Sequence, residues 1–268
     1  MFHHNSLNAI LSTGSPLPEE TFQWVYKNVK NDLQLSSISG GTDIVSCFML
    51  GNPALPVYSG EIQCKGLGMK VEAFSDKGET VIGEKGELVC TEPFPSMPVY
   101  FWDDKKGDKY RKAYFEKYPG IWTHGDYIKI TENGGIVVYG RSDATLNPGG
   151  VRIGTAEIYR IVEEMEEISD SIVVGKRFNG DEKIILFVVL KENVKITQKI
   201  KDQIKLELRQ RATPRHVPAE IFEVKEIPRT ISGKKVEIAV SKILNGEEVE
   251  NKDALANPDS LEQFYNYA

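Results

Sequence analysis

The sequence predicts a multidomain chain of α/β and α+β class. It reads as the remnant of an α/β layer, then a small antiparallel β-barrel-like subdomain, then a compact α+β C-terminal domain with a three-stranded sheet. Three observations predict this. The hydrophobic pattern changes character twice, near Gly51 and near Asp143. Between those points short apolar runs alternate in twos between Gly-rich turns, as strands with one buried face do. After Asp143 three segments repeat their apolar residues at helical spacing, separated by short β-branched runs. The divisions expected are residues 1–50, 51–142 and 143–268, with a hinge at Asp143.

The first part opens with Leu7–Leu11 as a buried strand, ended by Thr13-Gly14-Ser15-Pro16. A helix is expected from Pro18-Glu19-Glu20, because Pro fits a first turn and carboxylates suit the positive helix end. Phe22, Val25, Tyr26 and Val29 give it an apolar stripe, and Leu33–Ile38 forms a second strand running into Ser39-Gly40-Gly41-Thr42-Asp43. In the middle part, Gly60–Ile62, Met69–Ala73 and Gly86–Cys90 read as strands. Ile121–Ile130 and Ile136–Tyr139 read as a hairpin across Asn133-Gly134-Gly135. In the last part, helices are expected over Ala156–Ile168, Ile196–Ala212 and Val236–Leu244, and strands over Ser171–Gly175, Ile184–Leu190 and Glu220–Val224.

Composition narrows the function. Among 268 residues, 40% are hydrophobic and 27% charged, a globular balance. A net charge of −6 argues against broad nucleic-acid binding, which needs a basic face to displace counterions. Three cysteines without a Cys-x-x-Cys spacing argue against a disulfide scaffold or structural zinc and suit a reducing cytoplasm. No apolar run approaches the roughly 20 residues of a membrane span. The chain opens Met1-Phe2-His3-His4-Asn5 and is almost at once in the apolar run Leu7–Leu11, as if it began inside a fold.

Five stretches carry chemistry. Pro228-Arg229-Thr230-Ile231-Ser232-Gly233-Lys234-Lys235 presents an ammonium after a small-residue turn, useful against an oxygen that gains charge in a transition state. The plain alternative is an exposed turn with two solvated lysines. It is no Walker A loop, since Lys235 stands at the Ser/Thr position. Arg141-Ser142-Asp143 and Asn147-Pro148-Gly149-Gly150-Val151-Arg152 put two arginines around a Gly-rich loop, either a phosphate contact or a domain linker. Thr123-His124-Gly125-Asp126 offers a carboxylate to ribose hydroxyls, or an Asp capping a turn, with His124 read as structural. Thr13–Pro16 and Ser39–Asp43 follow predicted strands, where ligands of open α/β sheets gather. There Thr42 can donate to a phosphate and Asp43 can hold Mg²⁺ directly or through water.

In this order and spacing the five stretches resemble the adenylate-forming superfamily of acyl-CoA synthetases. "SISGGTDIVSCF", "FWDDKKGDKYRKAYFEKYPGIWTHGDY", "TPRHVP" and "SGKKVEIAVSKILNGEEV" are similar to its acetoacetyl-CoA synthetase branch, from about Leu7 onward. The resemblance implies an acid–thiol ligase in which acetoacetate and ATP give acyl-AMP and pyrophosphate, and the acyl group then passes to coenzyme A. It implies that Gly14, Ser15 and Pro16 border adenine, that Thr42 meets the α-phosphate, and that Asp43 replaces the family's Glu near Mg²⁺. Asp126 would hold the ribose with Arg141 beside it, and Arg152 would reach phosphate. Asp143 would be the hinge, Gly149 and Gly150 would line the CoA side, and Lys234 would be the adenylation lysine. Related acetyl-CoA synthetases carry Trp just before their Thr-Glu. Ser39, Gly40 and Gly41 stand there instead, which implies room for an acid longer than acetate, butyrate being as compatible as acetoacetate.

The family's phosphate-cradling loop and the larger N-terminal half are not found in the 268 residues. The chain is therefore expected to be a C-terminal portion that does not form acyl-AMP by itself, with a missing N-terminal part as partner. Exposed apolar surface at its start is expected to favour self-association. A non-catalytic subunit with a nucleotide-facing surface, a ligase for another short-chain acid, and a luciferase-like oxidase stand as alternatives.

Overall fold

The computed structural model describes residues 4–249 and 252–268; Met1–His3, and with them the chain start singled out above, lie outside the described residues. The chain divides into two compact units, Met1–Ser142 and Asp143–Ala268. Both mix helices and sheets, and no helix among the described residues is long and apolar enough to cross a membrane.

Unit 1 begins with β1 (Ala9–Ser12), α1 (Glu19–Asn28) and β2 (Gln34–Ser37), the two strands pairing in parallel with Ala9 opposite Gln34. Helix α1 carries Glu19 and Glu20 in its first turn, and it buries Phe22 and Val25 against Leu35 of β2. β3 (Ser39–Gly41), β4 (Ser46–Leu50) and β5 (Cys64–Lys65) form a three-stranded antiparallel sheet. A second antiparallel sheet runs in the order β6 (Val71–Phe74), β7 (Lys85–Cys90), β8 (Trp122–Ile130), β9 (Ile136–Arg141), with α2 (Asp108–Tyr114) inserted before β8. Phe48 and Met49 of β4 share one core with Val71, Leu88, Trp122, Ile128 and Ile136. The expected barrel is thus two open sheets around a common core, not a closed cylinder. The expected strand over Gly60–Ile62 shrinks to a single bridge between Ile62 and Ile136.

Unit 2 contains α3 (Thr155–Val162), β10 (Ile168–Phe178), β11 (Asp181–Leu190), α4 (Gln198–Arg211), β12 (Glu220–Glu223) and α5 (Glu237–Leu244). Its sheet has β11 in the centre, antiparallel to β10 and parallel to β12. Successive strand side chains point to opposite faces, and here both faces are covered. Val173, Leu186 and Val188 meet Ile158 of α3 and Ile204 and Leu208 of α4. Ile172, Val174, Ile185 and Phe187 meet Val240 and Ile243 of α5 and Phe264 of the C-terminal 3₁₀ segment. The helix expected to reach Ile168 ends at Val162; Ile168 instead starts β10 while still facing the α3–α4 core.

Candidate functional site

In unit 1 the chemistry gathers around Asp126, a carboxylate only 8% exposed on β8. The β8–β9 register sets Arg141 directly opposite it, the arrangement in which cross-strand pairs interact. Arg141 Nη1 lies 3.4 Å from Asp126 Oδ1 and donates to the His124 carbonyl at 3.0 Å. Gly125 between them leaves the guanidinium its place. Its φ of +82° suits glycine, and a Cβ there would stand 2.5 Å from Arg141 Nη2. Ser39 donates to Asp126 Oδ2 at 3.5 Å, and His124 Nε2 lies 3.9 Å from the same oxygen. His124 therefore belongs to the cluster as well as to the core, where its ring meets Phe48 edge-on at 4.8 Å.

Thr42 and Asp43 are exposed on the turn joining β3 to β4, closed by the Val45 N–H donating to the Thr42 carbonyl at 3.2 Å. Val45 holds a φ of +48°, strained for a β-branched residue. Asp43 is met by a residue the motif reading passed over: Tyr114, at the end of α2, donates its hydroxyl to Asp43 Oδ2. The Tyr114 ring is stacked on Trp122 with centroids 3.6 Å apart. Burial first, and then the hydrogen bond to Asp43 and its charge, push its phenol well above the ordinary value, so it stays a proton donor. No group of three metal-ligating side chains stands together among the described residues. Asp43 alone, with its second oxygen outside the Tyr114 bond, suits a hard cation whose other ligands are phosphate oxygens and water.

The stretch expected to make room for the acid does not do so through its glycines. A Cβ on Gly40 would lie 2.0 Å from the Ser46 carbonyl oxygen, and one on Gly41 would lie 2.9 Å from His124 Cε1. Both glycines are imposed by β4 and His124, which occupy the space a side chain would take. Gly14, Ser15 and Pro16 form the turn that ends β1 and take no part in the Asp126 hydrogen bonds.

In unit 2 the loop of Gly149 and Gly150 is a single 3₁₀ turn, Pro148–Gly150, tied to the start of β11. The Gly149 N–H donates to Asp181 Oδ1 at 2.9 Å and the Asn147 N–H to Glu182 Oε1 at 2.7 Å. The Gly149 bond, together with the Glu182 N–H donating to Asp181 Oδ1 at 2.8 Å, holds the exposed Asp181 carboxyl below its ordinary value. Arg152 follows, next to Ile153, which bridges back to Leu146. Glu157 caps the start of α3 by accepting the Gly154 N–H at 2.9 Å.

Lys234 lies on a hairpin that closes on itself: Arg229 bridges Lys235, the Thr230 N–H donates to the Lys234 carbonyl at 2.9 Å, and the Gly233 N–H donates to the Thr230 carbonyl at 2.8 Å. Lys234 is exposed. Lys235 is not the second solvated lysine of the plain sequence reading; its side chain is 14% exposed and ion-paired. Within unit 1 the structure thus brings Asp126, Arg141, Ser39 and His124 together, and a second point joins Asp43 to Tyr114. Within unit 2 it presents Lys234 alone at a tip. The motif reading passed over Tyr114: α2 is only seven residues long, and its apolar stripe is the single pair Tyr110 and Tyr114, half-buried against the core.

Residues 157–234 match the family model described as "AMP-binding enzyme C-terminal domain". An acetoacetyl-coenzyme A synthetase of Rhizobium meliloti (strain 1021) is 56% identical over 260 residues, covering 97% of this chain and 40% of the relative. An acetoacetyl-CoA synthetase of Gallus gallus is 53% identical, over 98% of this chain and 40% of the relative. Among solved structures, an acetoacetyl-CoA synthetase from Streptomyces lividans matches with a TM-score of 0.89 at 40% identity, covering 97% of this chain and 40% of that one. An anthranilate CoA ligase in complex with anthranoyl-AMP matches with a TM-score of 0.76 at 20% identity, over 90% of this chain and 45% of that one, a likeness of fold. The chain spans about 40% of the length of the curated relatives it matches.

Proposed function

From a chain that belongs to the adenylate-forming acyl-CoA synthetases and corresponds to the C-terminal portion of acetoacetyl-CoA synthetases, we propose the C-terminal part of an ATP-dependent acetoacetate–CoA ligase. The observation that carries the proposal is the match at 56% identity along 97% of the chain. In the reaction, a carboxylate oxygen of acetoacetate bonds to the α-phosphorus of ATP and the bond to pyrophosphate breaks. The CoA thiol then attacks the acyl carbon, forming the thioester and releasing AMP.

The residues are proposed to divide this work. Asp126 accepts the two ribose hydroxyls, and Arg141, opposite it on β9, keeps that carboxylate oriented. Gly14, Ser15 and Pro16 border adenine. Thr42 donates to the α-phosphate and Arg152 pairs with phosphate. Mg²⁺, when bound, draws negative charge from the departing pyrophosphate; Asp43 offers one carboxylate oxygen to it, and the Tyr114 hydroxyl keeps the other turned away. Lys234 supplies a point positive charge to the attacking carboxylate and the α-phosphate. Gly149 and Gly150 flank the thiol's approach. Unit 2, residues 143–268, turns about Asp143 between the two half-reactions, since one site must exclude water and then admit a thiol. Residues 1–50 are proposed as part of a larger α/β layer, and 51–142 as a β subdomain whose core takes in Phe48 and Met49 of β4. With Gly40 and Gly41 explained by packing, acetoacetate as the acid rests on the relatives alone.

The test uses an enzyme that joins this chain to the N-terminal part of the Rhizobium meliloti relative. Acetoacetate-dependent pyrophosphate exchange is expected, and Lys234→Ala is expected to lower it about 100- to 1,000-fold. Thioester formation from supplied acetoacetyl-AMP should stay near its original rate. Equal loss in both half-reactions would remove Lys234 from the adenylation step.

A further inference from the structure

The role proposed for Lys234 leaves its neighbour without a task. Lys235 pairs with Glu163, lies 3.2 Å from Asp170 Oδ1 and donates to the Ser171 carbonyl at 2.7 Å. Its ammonium also sits over the Tyr159 ring, 3.8 Å from the centroid. Asp170 on β10 is shared with the other arm of the hairpin. Its Oδ2 accepts Arg229 Nη2 at 2.6 Å, and its Oδ1 accepts the Ser171 N–H at 2.9 Å. Arg229 in turn donates through Nη1 to the carbonyl of Gly233, the residue before Lys234, at 2.7 Å. Burial pushes the Asp170 carboxyl up, but Lys235 and Arg229 outweigh it and hold it below its ordinary value of 3.8. The acceptor of the clamp is therefore ionised at neutral pH.

Such a clamp is a poor device for stability alone. Removing charges from water costs roughly what their attraction returns, and apolar side chains of the same volume often serve as well or better. What it does provide is register. Neighbouring side chains on an extended strand face opposite ways. With Lys235 drawn inward against Glu163 and Asp170, Lys234 must point outward. Arg229 pins the Gly233 carbonyl and removes the remaining freedom of the turn.

We propose that Asp170, Arg229 and Lys235 are positioning residues that aim Lys234, with Asp170 as the pin common to both arms of the hairpin. This rests on Lys234 being the adenylation lysine and adds the means by which its flexible ammonium is presented. A misplacement of about 1 Å at a reacting group can cost about 100-fold in rate, so the clamp acts on rate through geometry and not through contact with substrate.

Two experiments test it. In the 268-residue chain, acetic anhydride labelling mapped by peptide mass spectrometry is expected to modify Lys234 readily and Lys235 about tenfold more slowly. Asp170→Asn should abolish that protection. Equal labelling of the two lysines in the unaltered chain means no clamp exists in solution and overturns the proposal. In the joined enzyme, Asp170→Asn is expected to lower kcat for pyrophosphate exchange about 10- to 100-fold, with KM for ATP within about twofold and thioester formation unchanged. A fall in both half-reactions alongside a lower melting temperature would mark the cluster as structural only. Should Asp170→Asn fail to fold, Lys235→Met keeps the length and apolar stem at that site and carries the same expectation. If Lys234→Ala leaves exchange intact, the reading of Lys234 falls and the proposal with it. If Lys234→Ala blocks exchange while Asp170→Asn and Lys235→Met leave it intact, only the positioning proposal falls.

Discussion

The two units hold their key charged groups by different means. Asp126 in unit 1 is met by Ser39 from β3, by His124 on its own strand and by Arg141 from β9. It depends on the register of two sheets, and its nearest neighbours include glycines with no room for a side chain. Lys234 in unit 2 sits on one short hairpin closed by its own backbone, and charges on β10 and α3 fix its direction. Unit 1 should therefore fail through the backbone, and unit 2 through the loss of charge. Predictions that separate the two follow from that contrast.

The largest effect should come from Gly40→Ala. The added methyl would meet the Ser46 carbonyl at 2.0 Å and Cys47 Cα at 2.7 Å, both backbone atoms that move only with their strand. A cost of about 3 kcal/mol is expected, read as a lower melting temperature, with AMP binding by calorimetry weakened as well. Stability equal to the parent would show that β3 and β4 shift freely and that register does not hold the site. Next in size is Asp126→Asn. It keeps the shape but loses the charge that accepts from ribose hydroxyls, so AMP affinity should fall by about 1.5–3 kcal/mol, or roughly 10- to 150-fold. An unchanged affinity would leave Asp126 as a partner of Arg141 only. Smaller again is Tyr114→Phe, which removes one hydrogen bond from Asp43 and keeps the ring on Trp122. About 1 kcal/mol is expected, as a rise in the Mg²⁺ concentration needed for pyrophosphate exchange with little change in melting temperature.

The same contrast explains what the sequence made legible. The hairpin could be read from the Asn133-Gly134-Gly135 turn, but Arg141 stands beside Asp126 in the sequence reading through the resemblance: the turn's register alone would set Gly140 opposite Asp126, and the irregularity between Tyr127 and Ile128 brings Arg141 there instead. The Lys234 hairpin could be read as a local turn, whereas its clamp could not, since Glu163 and Asp170 lie far from it in the chain. Tyr114 at the end of α2 and Asp43 on the β3–β4 turn meet from 71 residues apart and leave no trace in spacing. The overlong helix ending at Ile168 shows another limit: apolar spacing reports which residues face a core, and Ile168 faces it from a strand. β5 is only two residues, Cys64–Lys65, too short to alternate.

The smallest effect is a dependence on acid, and it sharpens the claim that charge holds unit 2. Asp170 has its folded value below 3.8. It therefore adds stability that is fully present above pH 3.8 and is lost as pH falls through that lower folded value. Glu237, at the start of α5, has the opposite sign. Burial foremost, opposed by the Tyr159 hydroxyl and by Lys235, holds it above 4.5. The folded unit then keeps that proton more tightly than the unfolded chain, so stability falls as pH rises from 4.5 through the folded value. Melting followed across the acid range should show both slopes in the parent chain. Asp170→Asn should remove the acid-side loss alone, and Glu237→Gln should remove the decline above pH 4.5 alone. Should Asp170→Asn leave the acid-side slope as it was, the carboxylate does not carry the clamp, and the hairpin of Lys234 would be held by its backbone, as unit 1 holds Asp126.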